Sequence, residues 1–567
     1  MNPNLFKRRI AMLGVAAALA ACSGSGDGGG ASADAVAPVV KAETPTDASR
    51  FLSQATFGPT AAEVDRVLSL QLEQWLEDQF AKPIADTHLA YWEARKAETP
   101  SSNSADWLTN SFWRGALTGD DALRQRVAFA LSQIFVVSLV DANVARTPRG
   151  VASYYDMLGR HAFGNFRNLL EDVTLHPMMG VYLSHLKNRG DGSRVPDENY
   201  AREVMQLFTI GLYALDANGT VRTGADGRPI EAYGNDDVTG IAKVFTGWGW
   251  AGPDRSDARF TGGGSPVFAD RDITPMQAYP QFHHDGPKTF LGITCPGGVM
   301  PPQSLKCGLD GLFAHPNTGP FIARQLIQRL VTSNPSPGYV GRVAARFADN
   351  GAGVRGDMKA VLRAILLDPE ARIAPAADAL GVGKVREPIL RATALMRATG
   401  ARSASGQFRI GATDDPTRSL GQTVMRSPSV FNFWRPGYTP ANSDLALAGL
   451  VAPELQASNE MSVAGYLNAM QTLIQSGIGS GSPRDLQLDL DDLAAIAADG
   501  DALLARIELL VLSRAFDAPS RQRIREVIES VKIPATGTAT AVATARRNRV
   551  MAALYLSVAS PEFLAQK

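Results

Sequence analysis

The sequence predicts a mainly α-helical protein, with a large multi-helical globular body and one irregular insert that can contain β-structure. Two observations support this prediction. Apolar residues recur every three or four positions through most of the chain, as one face of a helix requires. The exception is the stretch of residues 250–314, which is dense in glycine and proline and holds two cysteines. An apolar share of 45% is ample for a buried core.

The helical period can be followed in chain order. It covers residues 48–80, where Gly58-Pro59 interrupts it, and residues 123–140, whose composition predicts burial on most faces. Shorter helices are predicted over residues 154–161, 166–175, 178–186, 198–212 and 236–245. Turn residues at Asp216-Ala-Asn-Gly219 and Asp226-Gly-Arg-Pro229 predict a short hairpin between the last two. From His315 onward the chain is predicted to be helical again through most of its remaining length.

The N-terminus has the pattern of a bacterial lipoprotein signal. Lys7-Arg-Arg9 precede an apolar run that ends in the lipobox Leu19-Ala-Ala-Cys22, where small residues admit the signal peptidase. We expect a signal peptide over residues 1–21, a flexible tether over residues 22–46 and one body over residues 47–567. Acyl chains such as palmitate on Cys22 then anchor an exported protein, because stable anchoring takes more than one chain. An ordinary secretory signal is the alternative interpretation.

Location, charge and cysteine content narrow the function classes. Ser23 follows the lipidated cysteine, which is typical of lipoproteins passed to the outer membrane, facing the periplasm or the cell surface. Lys plus Arg and Asp plus Glu both number 56, so there is no electrostatic case for nucleic acid. In an exported protein Cys295 and Cys307 are expected to form a disulfide, across a loop that we predict to be non-helical. A metal pair or a reactive thiol is the alternative, and neither has a companion Cys-x-x-Cys motif.

The helix predicted over residues 198–212 carries a polar stripe opposite its apolar side. Asn199, Arg202, Glu203 and Gln206 share one face, and Glu198 lies at the start. A carboxylate beside an arginine can serve as a general acid or base, and we take Glu198, Asn199, Arg202 and Glu203 as candidate catalytic residues. The alternative is a structural network, in which removal of Glu203 leaves Arg202 or a backbone donor unpaired and destabilises the fold by several kcal/mol.

A second set of candidates lies in and after the insert. These are His283-His-Asp285 with Lys288, and further on His315. They can hold a divalent ion or cap a polar loop. Adjacent side chains point apart, and we assign no metal to them. His315-Pro-Asn-Thr can equally start a helix with Asn317 or Thr318 as the cap. Aromatic residues in this part of the sequence can stack on sugar rings or fill the core. The candidate binding residues are His284, Asp285, Lys288, His315, Arg324 and Trp248.

Ordered motifs along nearly the whole chain resemble the bacterial family called "domain of unknown function eighteen hundred". They include Glu198-Asn-Tyr-Ala-Arg-Glu203, Phe245-Thr-Gly-Trp248, His284-Asp-Gly-Pro-Lys288, Phe321-Ile-Ala-Arg324, Lys384-Val-Arg-Glu-Pro388 and Ser427-Pro-Ser-Val-Phe-Asn432. The resemblance implies a largely α-helical exported protein that acts beside a partner similar to the alkaline phosphatase and sulfatase superfamily. His176 stands where relatives commonly have aspartate, which makes it a poor candidate for an essential group.

These observations lead to two function hypotheses. The first is an accessory lipoprotein that binds an exported phosphatase- or sulfatase-like partner or an envelope polymer, because no Gly-x-Ser-x-Gly, P-loop or Rossmann motif is present. The second is a carboxylate- or metal-dependent hydrolase acting on envelope material. The hydrolase hypothesis requires Glu198 and Glu203 to converge in space with His284 and His315.

Overall fold

The computed structural model describes residues 41–374, 379 and 381–567, so the predicted signal peptide, the lipid-accepting Cys22 and almost all of the tether lie outside the described residues. Within the described part, 52% of the structure is helical and 5% is strand, which confirms the mainly α-helical class. No helix in this part is both long and apolar enough to cross a bilayer. One hydrophobic core extends from Ala42 to Phe563, and Phe260, Tyr279 and Phe282 form a small separate cluster within the insert.

The first half of the body is built from short helices. In chain order these are Pro45–Ala55 (α1), Ala61–Leu70 (α2), Leu72–Ala81 (α3), His88–Glu98 (α4), Asp106–Thr118 (α5), Ala122–Ser132 (α6), Pro148–His161 (α7), Phe166–Leu175 (α8), Pro177–Tyr182 (α9), Asn199–Gln206 (α10) and Asn235–Ala242 (α11).

The predicted interruption at Gly58-Pro59 is confirmed, since α1 ends at Ala55 and Thr60 caps α2 by accepting a hydrogen bond from the Glu63 amide. The helix predicted over residues 123–140 is shorter than expected. It ends at Ser132, and Leu139 instead donates its amide hydrogen to the carbonyl of Met425 at 2.8 Å. In place of the last predicted helical turns, the backbone at Leu139 is therefore hydrogen-bonded to a distant segment of the chain.

The insert contains β-structure, as predicted, in two antiparallel pairs. Trp248–Gly249 (β1) pairs with Gln277–Ala278 (β2), Lys288–Phe290 (β3) pairs with Ile293–Cys295 (β4), and the short helix Asp257–Thr261 (α12) lies between β1 and β2 in sequence. In the predicted hairpin, isolated bridges pair Leu215 with Val221 and Thr223 with Pro229.

The rest of the chain returns to helices with a largely irregular stretch over residues 399–459. Its elements are Pro301–Ala314 (α13), Thr318–Leu330 (α14), Pro337–Ala348 (α15), Met358–Leu366 (α16), Pro369–Arg372 (α17), Lys384–Val385 (β5), Pro388–Ala398 (α18), Arg402–Ser403 (β6), Asp444–Leu447 (α19), Glu460–Ser476 (α20), Leu486–Gln487 (β7), Asp491–Ile496 (α21), Gly500–Ile507 (α22), Ala518–Ser530 (α23), Ala539–Val558 (α24), Pro561–Leu564 (α25) and Ala565–Gln566 (β8). Strand β5 pairs with β8 and β6 pairs with β7, both antiparallel.

The predicted disulfide between Cys295 and Cys307 is present, with Cα atoms 5.9 Å apart. The prediction that no helix occupies the segment between the cysteines is wrong, because Cys307 lies within α13. Pro301 and Pro302 stand at the first helical positions, where a missing amide hydrogen costs nothing and the fixed φ angle favours the helix. The disulfide thus ties the end of β4 to a helix.

Removal of this disulfide is expected to destabilise the protein. Its cysteines are 12 positions apart in sequence, and closing a loop of that size contributes about 3 kcal/mol in the chain-entropy model. We expect the Cys295→Ala/Cys307→Ala variant to lose about 2–4 kcal/mol in urea unfolding. Reductant should lower wild-type stability but leave that of the variant unchanged, and equal insensitivity of both proteins would contradict the prediction.

Candidate functional site

Three of the four candidate catalytic residues lie at the surface, with Glu198 directly before α10 and Asn199 and Arg202 within it. The Glu198 carboxylate accepts a hydrogen bond from the Thr239 hydroxyl at 2.7 Å and lies 3.5 Å from the Arg202 guanidinium. Asn199 reaches Ser184 with its side-chain amide, at 3.4 Å from the Ser184 Oγ. These contacts tie the N-terminal end of the helix to neighbouring elements.

Glu203, the fourth candidate, is buried at 9% exposure, and its Oε2 has no hydrogen-bond partner within the described part of the chain. Burial raises the pKa of Glu203, an effect that the nearby Arg202 partly offsets. The alternative in which removal of Glu203 leaves Arg202 or a backbone donor unpaired has no support, since Arg202 pairs with Glu198, its side chain is 44% exposed, and the Glu203 carboxylate accepts no hydrogen bond within the described residues. Glu203 therefore sits in an environment that disfavours its ionised form.

Replacing Glu203 with glutamine is expected to leave stability at pH 7 unchanged or to raise it slightly. A carboxyl whose folded-state pKa is raised costs the folded state free energy when it ionises, and the neutral amide removes that cost. The gain should be on the order of 1 kcal/mol and should disappear when pH falls below the pKa of the wild-type carboxyl. Thermal unfolding of both proteins between pH 4 and pH 8 measures this gain. A Glu203→Gln protein that is several kcal/mol less stable than wild type at pH 7 would refute the prediction.

The histidines of the insert are held by local hydrogen bonds. The His283 Nδ1 lies 2.8 Å from the Thr246 carbonyl and its Nε2 lies 2.9 Å from the Ser304 hydroxyl, and burial lowers the pKa of His283 to about 4. His284 is partly exposed beside a cavity of about 460 Å³, with its Nδ1 at 3.3 Å from the Gly190 carbonyl. This arrangement matches a capped polar loop.

The remaining candidates of the second set are scattered. Lys288 is fully buried on β3, its ammonium has no hydrogen-bond partner among the described residues, and burial lowers its pKa. Asp285 is exposed, and its backbone carbonyl accepts a hydrogen bond from Gly298 at 2.7 Å. The His315 Nδ1 accepts a hydrogen bond from the backbone amide of Asn317 at 3.2 Å. Trp248 is buried at 5% exposure, like the core aromatics.

The two sets of candidates share no hydrogen bond or ion pair among the described residues. None of His284, Asp285, Lys288 and His315 makes a hydrogen bond or ion pair with Glu198 or Glu203 within the described residues. The same part of the chain contains no group of three or more His, Cys, Asp or Glu side chains that could hold a metal ion. The convergence that the hydrolase hypothesis requires therefore has no support from these contacts.

A larger cavity, of about 910 Å³, lies at the other end of α10. We call it the arginine cleft. Its wall is formed by the C-terminal end of α10, the hairpin that follows, α14 and the irregular stretch of residues 431–456. The lining side chains and glycines are Gln206, Leu207, Ile210, Gly211, Leu212, Tyr213, Leu215, Gly219, Val221, Pro320, Phe321, Arg324, Gln325, Gln328, Ser333, Asn334, Pro335, Phe431, Arg435, Pro436, Gly437, Tyr438, Thr439, Gly449, Leu450, Val451 and Gln456.

Two arginines give the cleft its charge. The side chain of Arg324, a sequence-predicted binding residue, is exposed and makes no hydrogen bond or ion pair among the described residues. Partial burial of its guanidinium lowers its pKa with no acidic neighbour to offset the effect. The Arg435 guanidinium lies over the Phe431 ring, 4.8 Å from its centroid, and has no ion pair in the same part of the chain. The residues that line the cleft include no Asp or Glu. The cleft therefore carries positive charge without a counter-charge of its own.

Asn317 and Gly211 hold the hairpin close to α14. Asn317 was predicted as a possible helix cap, but its side chain makes no capping hydrogen bond. The side-chain NH₂ of Asn317 instead donates to the backbone carbonyls of Ile210 at 2.9 Å and Tyr213 at 2.8 Å. Its side-chain oxygen accepts from the backbone amide of Leu215 at 3.0 Å. Gly211 has φ +75°, and a Cβ there would lie 2.8 Å from Phe321, so the chain passes too close to α14 for a side chain.

Behind the cleft lies a buried charge network that the sequence analysis did not identify as a site. The Lys384 ammonium lies 3.3 Å from the Glu387 carboxylate and 3.1 Å from that of Glu454, with the three side chains at most 4% exposed. Gln133 and Gln422 also donate hydrogen bonds to Glu387, the latter at 2.9 Å. We call these five residues the Glu387 network.

The Glu387 network is connected to the cleft through Arg329. Arg329 accepts a hydrogen bond from Lys384 at its carbonyl, 3.0 Å away, and its guanidinium donates to Gln325, which lines the cleft. Arg126 donates to the same Arg329 carbonyl. The available sequence signal was the occurrence of charged residues in or next to segments with the period of buried helices, such as Arg126 within α6 and Glu387 directly before α18.

The fold and the cleft together define a mainly α-helical protein with a ligand-sized, positively charged cavity. The family model described as "Protein of unknown function (DUF1800)" matches residues 50–565 of the chain. The chain therefore belongs to the DUF1800 family, in agreement with the resemblance seen in its motifs. No curated protein and no solved structure matches the chain.

Proposed function

We propose that the protein is an exported, lipid-anchored accessory protein that binds an anionic component of the cell envelope in the arginine cleft. The observation that supports this proposal is the presence of Arg324 and Arg435 without an acidic partner in the cleft. Both arginines are exposed, so an anion in the cleft can reach their guanidiniums, and the planar fork of a guanidinium matches the two oxygens of a carboxylate or the oxygens of a phosphate or sulfate.

The chemistry of the lining favours binding over hydrolysis at the cleft. The lining residues include no Asp, Glu, His, Cys or Lys, the residue types that most often act as general acid, general base or metal ligand. The hydroxyls of Ser333, Tyr213 and Tyr438 are present, but no lining side chain is a conventional base for them. The cleft is suited to hold an anionic group and not to cleave the molecule that carries it.

The accessory role rests on the family resemblance. A companion similar to the alkaline phosphatase and sulfatase superfamily acts on anionic groups, and a binding protein beside it would retain such material at the membrane. We propose this companion as the partner, with capture of the anionic ligand as the contribution of the present chain. Co-purification from detergent extracts tests the partnership, and repeated recovery of this chain alone would contradict it.

Binding is tested with the detergent-solubilised full chain and polymers that differ only in charge. We expect polyuronate or another acidic polymer to bind, and its affinity to fall as salt is raised from 50 to 500 mM, because screening weakens the arginine contacts. A neutral polymer of the same backbone should not bind. Equal binding of the acidic and neutral polymers at all salt concentrations would overturn the proposal.

The anchor is tested by the Cys22→Ser variant, whose substitution lies outside the described residues. Without the thiol that accepts the lipid, the protein should appear in the soluble fraction, since no described helix can serve as a membrane span instead. The wild-type protein should remain with the membranes after alkaline washing. A Cys22→Ser protein that also resists the wash would refute lipid anchoring at this position.

A further inference from the structure

Hydrogen bonds within the protein fix the orientation of two amide side chains in the cleft. Gln456 accepts a hydrogen bond at its Oε1 from the Arg435 backbone amide at 2.8 Å, and Gln325 accepts at its Oε1 from the Arg329 guanidinium. Because both partners can only donate, the oxygen of each amide must face its partner, which directs the NH₂ group away from it. The NH₂ groups of Gln325 and Gln456 have no partner within the described chain and remain available as donors.

A buried hydroxyl adds to these donors. Ser333 lines the cleft at 4% exposure, and its Oγ has no hydrogen-bond partner among the described residues. Its backbone is fixed, since its amide donates to the Gly383 carbonyl at 2.9 Å and its carbonyl accepts from Gln328 at 2.9 Å. A buried hydroxyl without a partner in the protein is uncommon, and a ligand group or a water molecule in the cleft can satisfy it.

The cleft therefore combines two guanidiniums and fixed amide donors with aromatic and aliphatic walls. Arg324, Gln325 and Ser333 come from α14 and the segment after it, whereas Arg435 and Gln456 come from residues 431–456. Phe321, Phe431 and Tyr438 add flat apolar surfaces beside them. The polar groups are thus contributed by separate segments of the lining and are not confined to one charged spot.

This distribution discriminates among anionic ligands. A fatty acid or similar amphiphile places hydrocarbon against the fixed donors and leaves them unsatisfied, which is unfavourable. A bare phosphate or sulfate ion is much smaller than a cavity of about 910 Å³, which lies near the upper end of the volumes of small-molecule sites. A sugar offers oxygen acceptors around its ring and C–H surfaces for aromatic side chains, so it can satisfy both kinds of lining.

We propose that the ligand of the arginine cleft is an acidic oligosaccharide segment, whose oxyanion binds Arg324 and Arg435 while its ring oxygens accept hydrogen bonds from Gln325, Ser333 and Gln456. This inference rests on the proposed function and adds the chemical class of the ligand. The oxyanion is a carboxylate, sulfate or phosphate, and the three are separated by experiment.

Calorimetry on the full chain carrying Cys22→Ser, which needs no detergent, tests the inference. The probes are hexagalacturonate, its methyl ester, sulfated and phosphorylated hexasaccharides of the same length, and dodecanoate. We expect at least one acidic hexasaccharide to bind, and its neutral counterpart, which is the methyl ester for the uronate, to bind at least 10-fold more weakly. The acidic probe with the highest affinity identifies the oxyanion.

Two variants test the contacts to the sugar. Ser333→Ala removes a hydroxyl that has no partner in the protein, so it should weaken hexasaccharide binding about 3- to 10-fold without lowering the unfolding temperature. Gln456→Leu should weaken binding by a similar factor. Gln475→Leu, an exposed glutamine that lines a different groove between α20 and α24, is the matched control and should leave affinity unchanged.

The outcomes separate the inference from the proposed function. Tighter binding of dodecanoate than of every acidic hexasaccharide, unaffected by Ser333→Ala, would overturn the carbohydrate class while leaving an anion-binding cleft. Binding of acidic hexasaccharides that neither Ser333→Ala nor Gln456→Leu weakens would overturn the assigned contacts. No binding of any acidic probe or acidic polymer would overturn the proposed function together with the inference.

Discussion

Replacing Glu387 with alanine is expected to lower the free energy of unfolding by about 3–5 kcal/mol, the cost of breaking a buried ion pair by removing one partner. Glu387 is fully buried, and its carboxylate contacts Lys384 and the amides of Gln133 and Gln422. Without it, Lys384 keeps only Glu454 as an acidic partner, and two buried amides lose their acceptor. Urea unfolding followed by circular dichroism measures the loss.

The same carboxylate predicts a loss of stability in acid. Burial alone would raise the pKa of Glu387, but Lys384, Arg126 and the two amides together lower it below the usual 4.5 of a glutamate. A lowered folded-state pKa stabilises the protein above the unfolded-state value, and the contribution is lost as pH falls through the folded-state value. The stability difference between wild type and Glu387→Gln should therefore shrink as pH falls below about 4.5.

The Glu231→Ala variant is the matched control for Glu387, because Glu231 is exposed and has no ion pair within the described residues. Its stability should change by no more than about 0.5 kcal/mol. Two results would show that the Glu387 network does not hold the segments behind the cleft together. One is a loss of less than about 1 kcal/mol of unfolding free energy in Glu387→Ala, and the other is a stability difference between wild type and Glu387→Gln that grows in acid.

Replacing Arg324 with glutamine is expected to weaken binding of the anionic ligand by roughly 10- to 100-fold, since a hydrogen bond to a charged group contributes about 1.5–3 kcal/mol. Arg324 lines the cleft without a partner in the described chain, so its substitution breaks no ion pair and should leave the unfolding temperature unchanged. Titration of the acidic polymer at several salt concentrations measures both the affinity and its salt dependence.

Two further variants make this measurement specific. Arg324→Lys keeps the charge but loses the planar fork, so it should recover part of the affinity and most of the salt dependence. Arg506→Gln removes an exposed arginine on α22 that has no ion pair in the described residues, and it should bind like wild type. Equal weakening by Arg324→Gln and Arg506→Gln would show that net charge and not the cleft governs binding.

Local patterns predicted the elements that depend on neighbours in sequence. The period of apolar residues placed α7, α8 and α11, and the turn residues placed the hairpin, because amphipathic faces and turn conformations are properties of short segments. The non-helical prediction for the segment between the cysteines is wrong because Pro301 and Pro302 are well placed in a first helical turn. Asn317 does stand directly before α14, as predicted, but its side chain bonds to the hairpin and not to the helix.

The sequence by itself determined the helical class, the pairing of the two cysteines in the body, the family resemblance and the selection of Arg324 as a binding candidate. Only the tertiary structure decided what surrounds each charged group. Arg324 and Glu387 are both charged residues in helix-forming segments, yet one faces a cleft without a counter-charge and the other a buried lysine. Whether a charge is free or neutralised depends on partners that can be more than a hundred positions away, such as Gln133 for Glu387, and no local pattern records them.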